Sequence, residues 1–196
     1  MEDFSLHVRR DPRKEITGHL SLLIGPVAQL YAVTRHFLVI NPTQKFQVRL
    51  LKIEEIDAAV DLLGRQLREH RVKTNLGKVR SVIERIVKDE RLGFVLVALE
   101  KNERPVGVAL GCAFLGIEHG GTSGWIEELY VLPEFRQRGI GSLLVAEFIR
   151  VASALGWRAI DLEIDSSHQR AASLYQRHGF TQLDRSRLSR RLGESG

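Results

Sequence analysis

The chain has 196 residues, 43% of them hydrophobic and 27% charged, enough for one domain with a sizeable core and too few for two full ones. Its single cysteine, Cys112, excludes an intramolecular disulfide and fits a reducing compartment, so a cytoplasmic protein is expected. The net charge of +5 sits mostly at the ends, since residues 1–45 carry 6 basic and 4 acidic groups, 46–180 carry 19 and 18, and 181–196 carry 4 and 2. No zinc-finger, basic-zipper or RNA-recognition signature accompanies that excess, and no nucleic-acid partner is expected.

Residues 1–45 read as an N-terminal extension of unknown role. Ile16 to Thr34 contains no Asp, Glu, Lys or Arg and follows Arg9, Arg10, Arg13 and Lys14, the outline of a signal or anchor segment. Thr17, Gly18, His19, Ser21, Gln29 and Thr34 dilute the run and Gly25-Pro26 interrupts it. It therefore falls short of the roughly 20 mainly apolar residues a span needs, and no membrane association is expected. An accessory element packed on the main domain is preferred to a loose extension. Asn41-Pro42 marks the boundary, because the residue before proline is pushed out of the helical region.

From Phe46 the pattern is regular. Phe46 to Leu50 alternates with period two, as a half-buried strand does. Ile53, Ile56, Val60, Leu63 and Leu67 recur at steps of three and four and predict a helix; Leu76, Val79, Ile83, Ile86 and Val87 predict a second. Phe94 to Leu99 is a compact apolar strand, Lys101 to Arg104 a polar hairpin turn, and Val106 to Ile117 a further strand. Gly107, Gly111 and Gly116 within that strand point to bulges or close backbone approach. Cys112 lies in the same apolar run and reads as a small buried hydrophobe. Glu118 to Gly124 is a flexible connection, and Gly124 to Leu132 the central strand.

A basic loop with two glycines, Arg136-Gln137-Arg138-Gly139-Ile140-Gly141, follows that strand. It runs into a helix whose apolar face is Ile140, Leu143, Leu144, Phe148, Val151 and Leu155, ended by Gly156. Strand, loop and helix N-terminus together make an anion site, where the backbone comes close to a ligand and the helix dipole is positive. Ala159 to Asp165 predicts a strand. Ser166 or Ser167 can cap a helix carrying Ala171, Leu174 and Tyr175 and stopping at Gly179. Phe180 to Leu183 and Arg187 to Leu192 predict two last strands. The expected fold is α/β, a mixed, mostly antiparallel sheet of about seven strands flanked by about four helices, with 46–196 as its single domain.

Two segments resemble the GNAT superfamily of N-acetyltransferases. Arg136 to Gly141 resembles its R/Q-x-x-G-x-G/A acyl-CoA loop, and His168-Gln169-Arg170-Ala171-Ala172-Ser173-Leu174-Tyr175-Gln176-Arg177-His178-Gly179-Phe180 resembles its N-x-x-A-x-x-L-Y-x-x-x-G-F segment. The resemblance covers about Phe46 to Leu192. It implies acetyl-CoA as co-substrate, with the pyrophosphate at the amides of Gln137, Arg138, Gly139, Ile140, Gly141 and Ser142. Arg136 and Arg138 either add charge near the phosphates or are solvated. The pantetheine arm is implied to run along the central strand at Leu129, Tyr130 and Val131, where the sheet splays. His168 stands where the family has asparagine; it hydrogen-bonds to the cofactor, caps the helix or is exposed. Ala171 falls in the same cofactor-binding segment.

The implied chemistry needs a base for the amine and an acid for the departing thiolate. Glu127 and Glu128 are the candidate bases, on opposite faces by strand alternation. Glu127 shares a face with Trp125 and Leu129 by that count and is preferred. Tyr175 matches the family's tyrosine and is the expected acid. The expected function is transfer of an acetyl group to a primary amine of a small molecule by direct attack. A protein N-terminal or lysine acetyltransferase and a non-catalytic CoA-binding module are the alternatives. Neither metal ligation nor further cofactor is expected, His119 and His178 read as surface residues, and a homodimer is allowed by the resemblance without being fixed.

Overall fold

The computed structural model describes residues 45–164, 169–190 and 192, so the N-terminal extension up to residue 44, the capping serines and His168 lie outside the described residues. The chain divides after Glu163 into a larger unit that carries the sheet and a smaller one that carries the last helix.

The larger unit begins with β1 (Phe46–Leu50), a short 3-10 turn (Ile53–Glu55), α1 (Ile56–Glu69) and α2 (Leu76–Lys88). It continues through β2 (Gly93–Glu100), β3 (Pro105–Gly116), β4 (Gly121–Val131), a second 3-10 turn (Pro133–Phe135), α3 (Ile140–Ala154) and β5 (Ile160–Leu162). The sheet runs β1-β2-β3-β4-β5, antiparallel through β4 and parallel between β4 and β5. Apolar residues without alternation make β2 a strand buried on both faces, every residue from Gly93 to Leu99 being enclosed. On one face Phe94 meets Phe148 of α3, ring centroids 4.5 Å apart. Gly111 is required there, because a Cβ on it would stand 2.2 Å from Phe148 Cζ. That is the close approach its place in β3 predicts. α1 and α2 supply the buried residues Ile56, Ala59, Leu62, Leu63, Ile83 and Ile86.

Two irregularities in β4 shape its C-terminal half. Its pairing with β5 covers only Gly124 to Ile126, so from Glu127 to Val131 β4 is paired through β3 alone among the described residues. The sheet is thus open along the outer edge of β4, as the expected splay requires. The second irregularity is a β-bulge, because Gly111 pairs with Ile126 and Leu110 with Glu128, leaving Glu127 as the extra residue.

In the smaller unit α4 (Gln169–Arg177) ends in a Schellman turn, with the Phe180 amide donating to Tyr175 O at 3.1 Å and the Gly179 amide to Gln176 O at 3.0 Å. Gly179 takes φ +85°, and the Tyr175 and Phe180 rings meet edge to face at 5.5 Å. The strands expected at Phe180 to Leu183 and Arg187 to Leu192 are absent from the described residues of those segments, which leaves five strands among the described residues. Thr181 to Arg190 are exposed throughout, and a short segment holds as a strand only where one of its faces is covered.

Candidate active site

The glycine loop is built from backbone. The Arg136 backbone is extended, and Gln137 with φ +63° and Gly139 with φ +83° both enter the left-handed region before α3 begins. Gly139 is the N-cap and offers no side chain. A Cβ there would meet nothing within 4 Å, so the positive φ rather than crowding favours glycine. The first backward helical bond is Leu143 N to Gly139 O at 3.0 Å, and the amides before it point out of the N-terminal end. No acidic residue lies in the first turn of α3, so nothing there opposes an anion.

Arg136 is committed elsewhere. Its Nε donates to Val131 O at 2.9 Å, its guanidinium donates to Glu69 Oε2 at 2.6 Å, and it lies over the Tyr130 ring. Arg138 lies over the Phe135 ring and is the loop cation that makes no ion pair among the described residues.

The central strand meets α1 through side chains. The Tyr130 hydroxyl donates to Glu69 Oε1 at 2.6 Å, completing a clamp of Tyr130, Glu69 and Arg136. Burial alone would raise Glu69, but the tyrosine hydroxyl and the guanidinium outweigh it and hold its carboxyl below the usual range. One turn earlier on α1, Gln66 Nε2 donates to Glu128 Oε2 at 2.6 Å.

The bulge corrects the face assignment made by counting. Directly paired residues share a face, and Cys112 and Leu110 lie two apart on β3. Their partners Trp125 and Glu128 therefore point the same way, with Leu129, opposite Ala109, on the other face. Trp125 and Leu129 do not share a face, so the place of Glu127 cannot be counted from them. Glu127 is exposed, whereas Glu128 is half-buried against α1. The two carboxylates are nonetheless neighbours. Burial first, and the Glu127 charge second, push Glu128 up to about 7 against the opposing hydrogen bond from Gln66. Cys112 is half-buried rather than fully enclosed, and burial together with Glu127 pushes its thiol up, which makes it a poor nucleophile.

The structure thus brings Leu129, Tyr130, Val131 and the loop from Arg136 to Ser142 into one continuous turn of chain, with Glu127 and Glu128 just before it. Tyr175, buried, and Ala171, half-buried, belong to the smaller unit. His119 faces Asp161 at 3.7 Å. No group of His, Cys, Asp and Glu among the described residues could hold a metal, and no described helix is long and apolar enough to cross a membrane. Gln66 and Glu69 escape a reading of the sequence, although one signal was there: Gln66 falls three residues after Leu63, in line with the apolar stripe.

Comparison with known proteins agrees with this architecture. Residues 59–180 match the acetyltransferase (GNAT) family. An uncharacterized N-acetyltransferase, CgeE of Bacillus subtilis, is 35% identical over 91 residues, 46% of this chain and 35% of that protein. Aminoglycoside N(6')-acetyltransferase type 1 of Salmonella typhimurium is 30% identical over 86 residues, 40% of this chain and 59% of that one. The chain therefore matches less than two thirds of the length of either relative. A solved AAC(6')-Iy, in complex with a bisubstrate analog CoA-S-monomethyl-acetylneamine, superposes with a TM-score of 0.63 at 19% identity, covering 76% of this chain and all of that one. At that identity the likeness is one of fold. With the family match spanning more than half of the sequence, on a mixed sheet opened at β4 beside a glycine loop, the chain belongs to the GNAT family of acetyltransferases.

Proposed function

We propose that the chain moves an acetyl group from acetyl-CoA to a primary amine, of a small molecule in preference to a peptide, by direct attack. The observation that carries this is the pair Glu127 and Glu128, one of them half-buried, immediately before an open strand edge and an amide-lined loop. Acetyl-CoA fits the residues present. The amides of Gln137 to Ser142 suit its pyrophosphate, Arg138 adds positive charge, and the outer edge of β4 from Leu129 to Val131 suits its amide-bearing arm. It would supply an activated acyl group and a thiolate leaving group. The small-molecule preference is supported by the aminoglycoside acetyltransferase among the relatives.

An amine with a pKa near 10 is mostly protonated at neutral pH, so a base must take its proton before it can attack. We assign that role to Glu128. What supports it over Glu127 is burial against α1, which raises its proton affinity to about 7, the range in which a base works best at neutral pH. Glu127 keeps an independent claim, being exposed at the bulge and open to the acceptor. A strand amide near Leu129 to Val131 would stabilise the oxyanion, and Tyr175 would return a proton to the departing thiolate.

Thiol release from acetyl-CoA, measured with a panel of amines and amine-terminated peptides and followed by mass spectrometry, tests the assignment. Turnover with aminoglycoside-like or other small primary amines is expected. Turnover on peptides alone would replace the small-molecule reading, and acetyl-CoA binding with no acceptor turnover would make the chain a binding module.

A further inference from the structure

Gln66 is 5% exposed in the last turns of α1, and only one end of its amide is used. Nε2 donates to Glu128 Oε2 at 2.6 Å, while Oε1 is buried with no hydrogen-bond partner among the described residues. A buried, unanswered carbonyl is costly and uncommon, and it sits beside the carboxyl assigned as the base.

We propose that Gln66 is the positioning residue of that base, holding the Glu128 carboxyl in one place through both of its proton states. This rests on Glu128 being the base. A carboxylate only accepts hydrogen bonds, but once it has taken a proton it must also donate. A fixed cation in this place would hold the carboxyl ionised, and a fixed carbonyl would hold it protonated. A primary amide is both donor and acceptor at the same reach, and a half-turn exchanges them. What usually prevents that half-turn is a partner at the other end. Oε1 has none among the described residues, so either orientation leaves one amide atom unpaired and turning over loses no hydrogen bond. While Glu128 is ionised Nε2 donates to it; when it has accepted a proton, Oε1 faces the new O–H.

The surroundings leave Gln66 this task alone. Glu127 on the same strand repels the ionised form. Glu69 of α1 is taken by Tyr130 and Arg136, and Arg65 pairs with Asp61. Cys112 on β3 feels Glu127 and is itself a weak acid. No Lys or Arg pairs with Glu128 among the described residues.

The test is a carbon-13 NMR titration of the Glu128 carboxyl in the full chain labelled at glutamate, the resonance being identified by its loss in Glu128→Gln. Gln66→Met keeps length and burial and removes both hydrogen-bonding ends. Because a hydrogen bond to the charged form is the stronger of the two, its loss should move the titration of Glu128 upward by about one pH unit. The acid limb of kcat/KM for an accepted primary amine should move by the same amount, with the affinity for acetyl-CoA unchanged and the rate recovering at high pH. If Gln66→Met does not fold, Gln66→Glu carries the same test with a larger upward shift, since two carboxyls would then share a proton. An unmoved titration, or a loss of rate equal at every pH, overturns the proposal for Gln66. An acid limb that survives in Glu128→Gln overturns the assignment of the base instead, so the two failures are distinguishable.

Discussion

The glycine loop and the seam between α1 and β4 lie in the same unit and are built from opposite materials. The loop presents backbone: Gly139 has no side chain, and Gln137 and Gly139 owe their role to φ. The seam presents side chains, with Gln66 on Glu128 and Glu69 gripping both Tyr130 and Arg136. Every acyl-CoA carries the same pyrophosphate, so a donor site can be made of amides whose geometry a short motif encodes. An acceptor site has to be made of groups that differ from one chain to the next. Substitutions in the two regions should therefore fail in different measurements.

The largest effect is expected in the seam. Glu128→Gln should lower kcat by about a hundredfold at neutral pH, in the range for loss of a general base, and leave acetyl-CoA binding within error by calorimetry. In the wild type kcat/KM should rise with pH through about 7, because the base must be ionised to work. If Glu127→Gln produces the loss instead, the contrast survives but the base moves one residue.

Next in size is the loop. Gly139→Ala places a Cβ on a residue at φ +83° and should weaken acetyl-CoA binding about tenfold while sparing kcat at saturation. A fall in kcat with intact binding would dissolve the division between the regions. A smaller change is expected for Glu69→Gln, which removes the charge facing Arg136 in a partly exposed pair. KM for the amine should move about twofold, less still in high salt.

The smallest effect is on stability. The folded state holds a proton on Glu128 between its ordinary value and about 7, where the unfolded chain has lost it, so the folded state binds more protons and stability falls as pH rises through that window. Glu128→Gln should therefore melt higher than the wild type at pH 8, by about 2–4 °C for each kcal/mol relieved, and close to it at pH 4. An equal difference at both pH values would show that burial does not act through ionisation.

The same division decides how much the sequence reveals by itself. Helices and strands follow from periodicity, and the loop from residues whose conformational demands are local. The two carboxylates are visible on β4, but their faces are not, since the bulge at Glu127 depends on how β3 pairs with β4. Gln66 and Glu69 are missed because helical polar residues state nothing about what lies across from them. The last two strands are expected at Phe180 to Leu183 and Arg187 to Leu192, where Leu183, Leu188 and Leu192 remain exposed.

The turn that closes α4 bears on how the tyrosine should be interrogated. Tyr175 supplies the carbonyl that receives the Phe180 amide and the ring that meets Phe180, while Gly179 supplies the reversal between them. The spacing of tyrosine, glycine and phenylalanine is thus already accounted for by the grammar of a helix ending, which draws on the carbonyl and the ring of Tyr175. Tyr175→Phe would keep the carbonyl and the ring and delete one oxygen, so it tests the hydroxyl while leaving the helix ending itself intact.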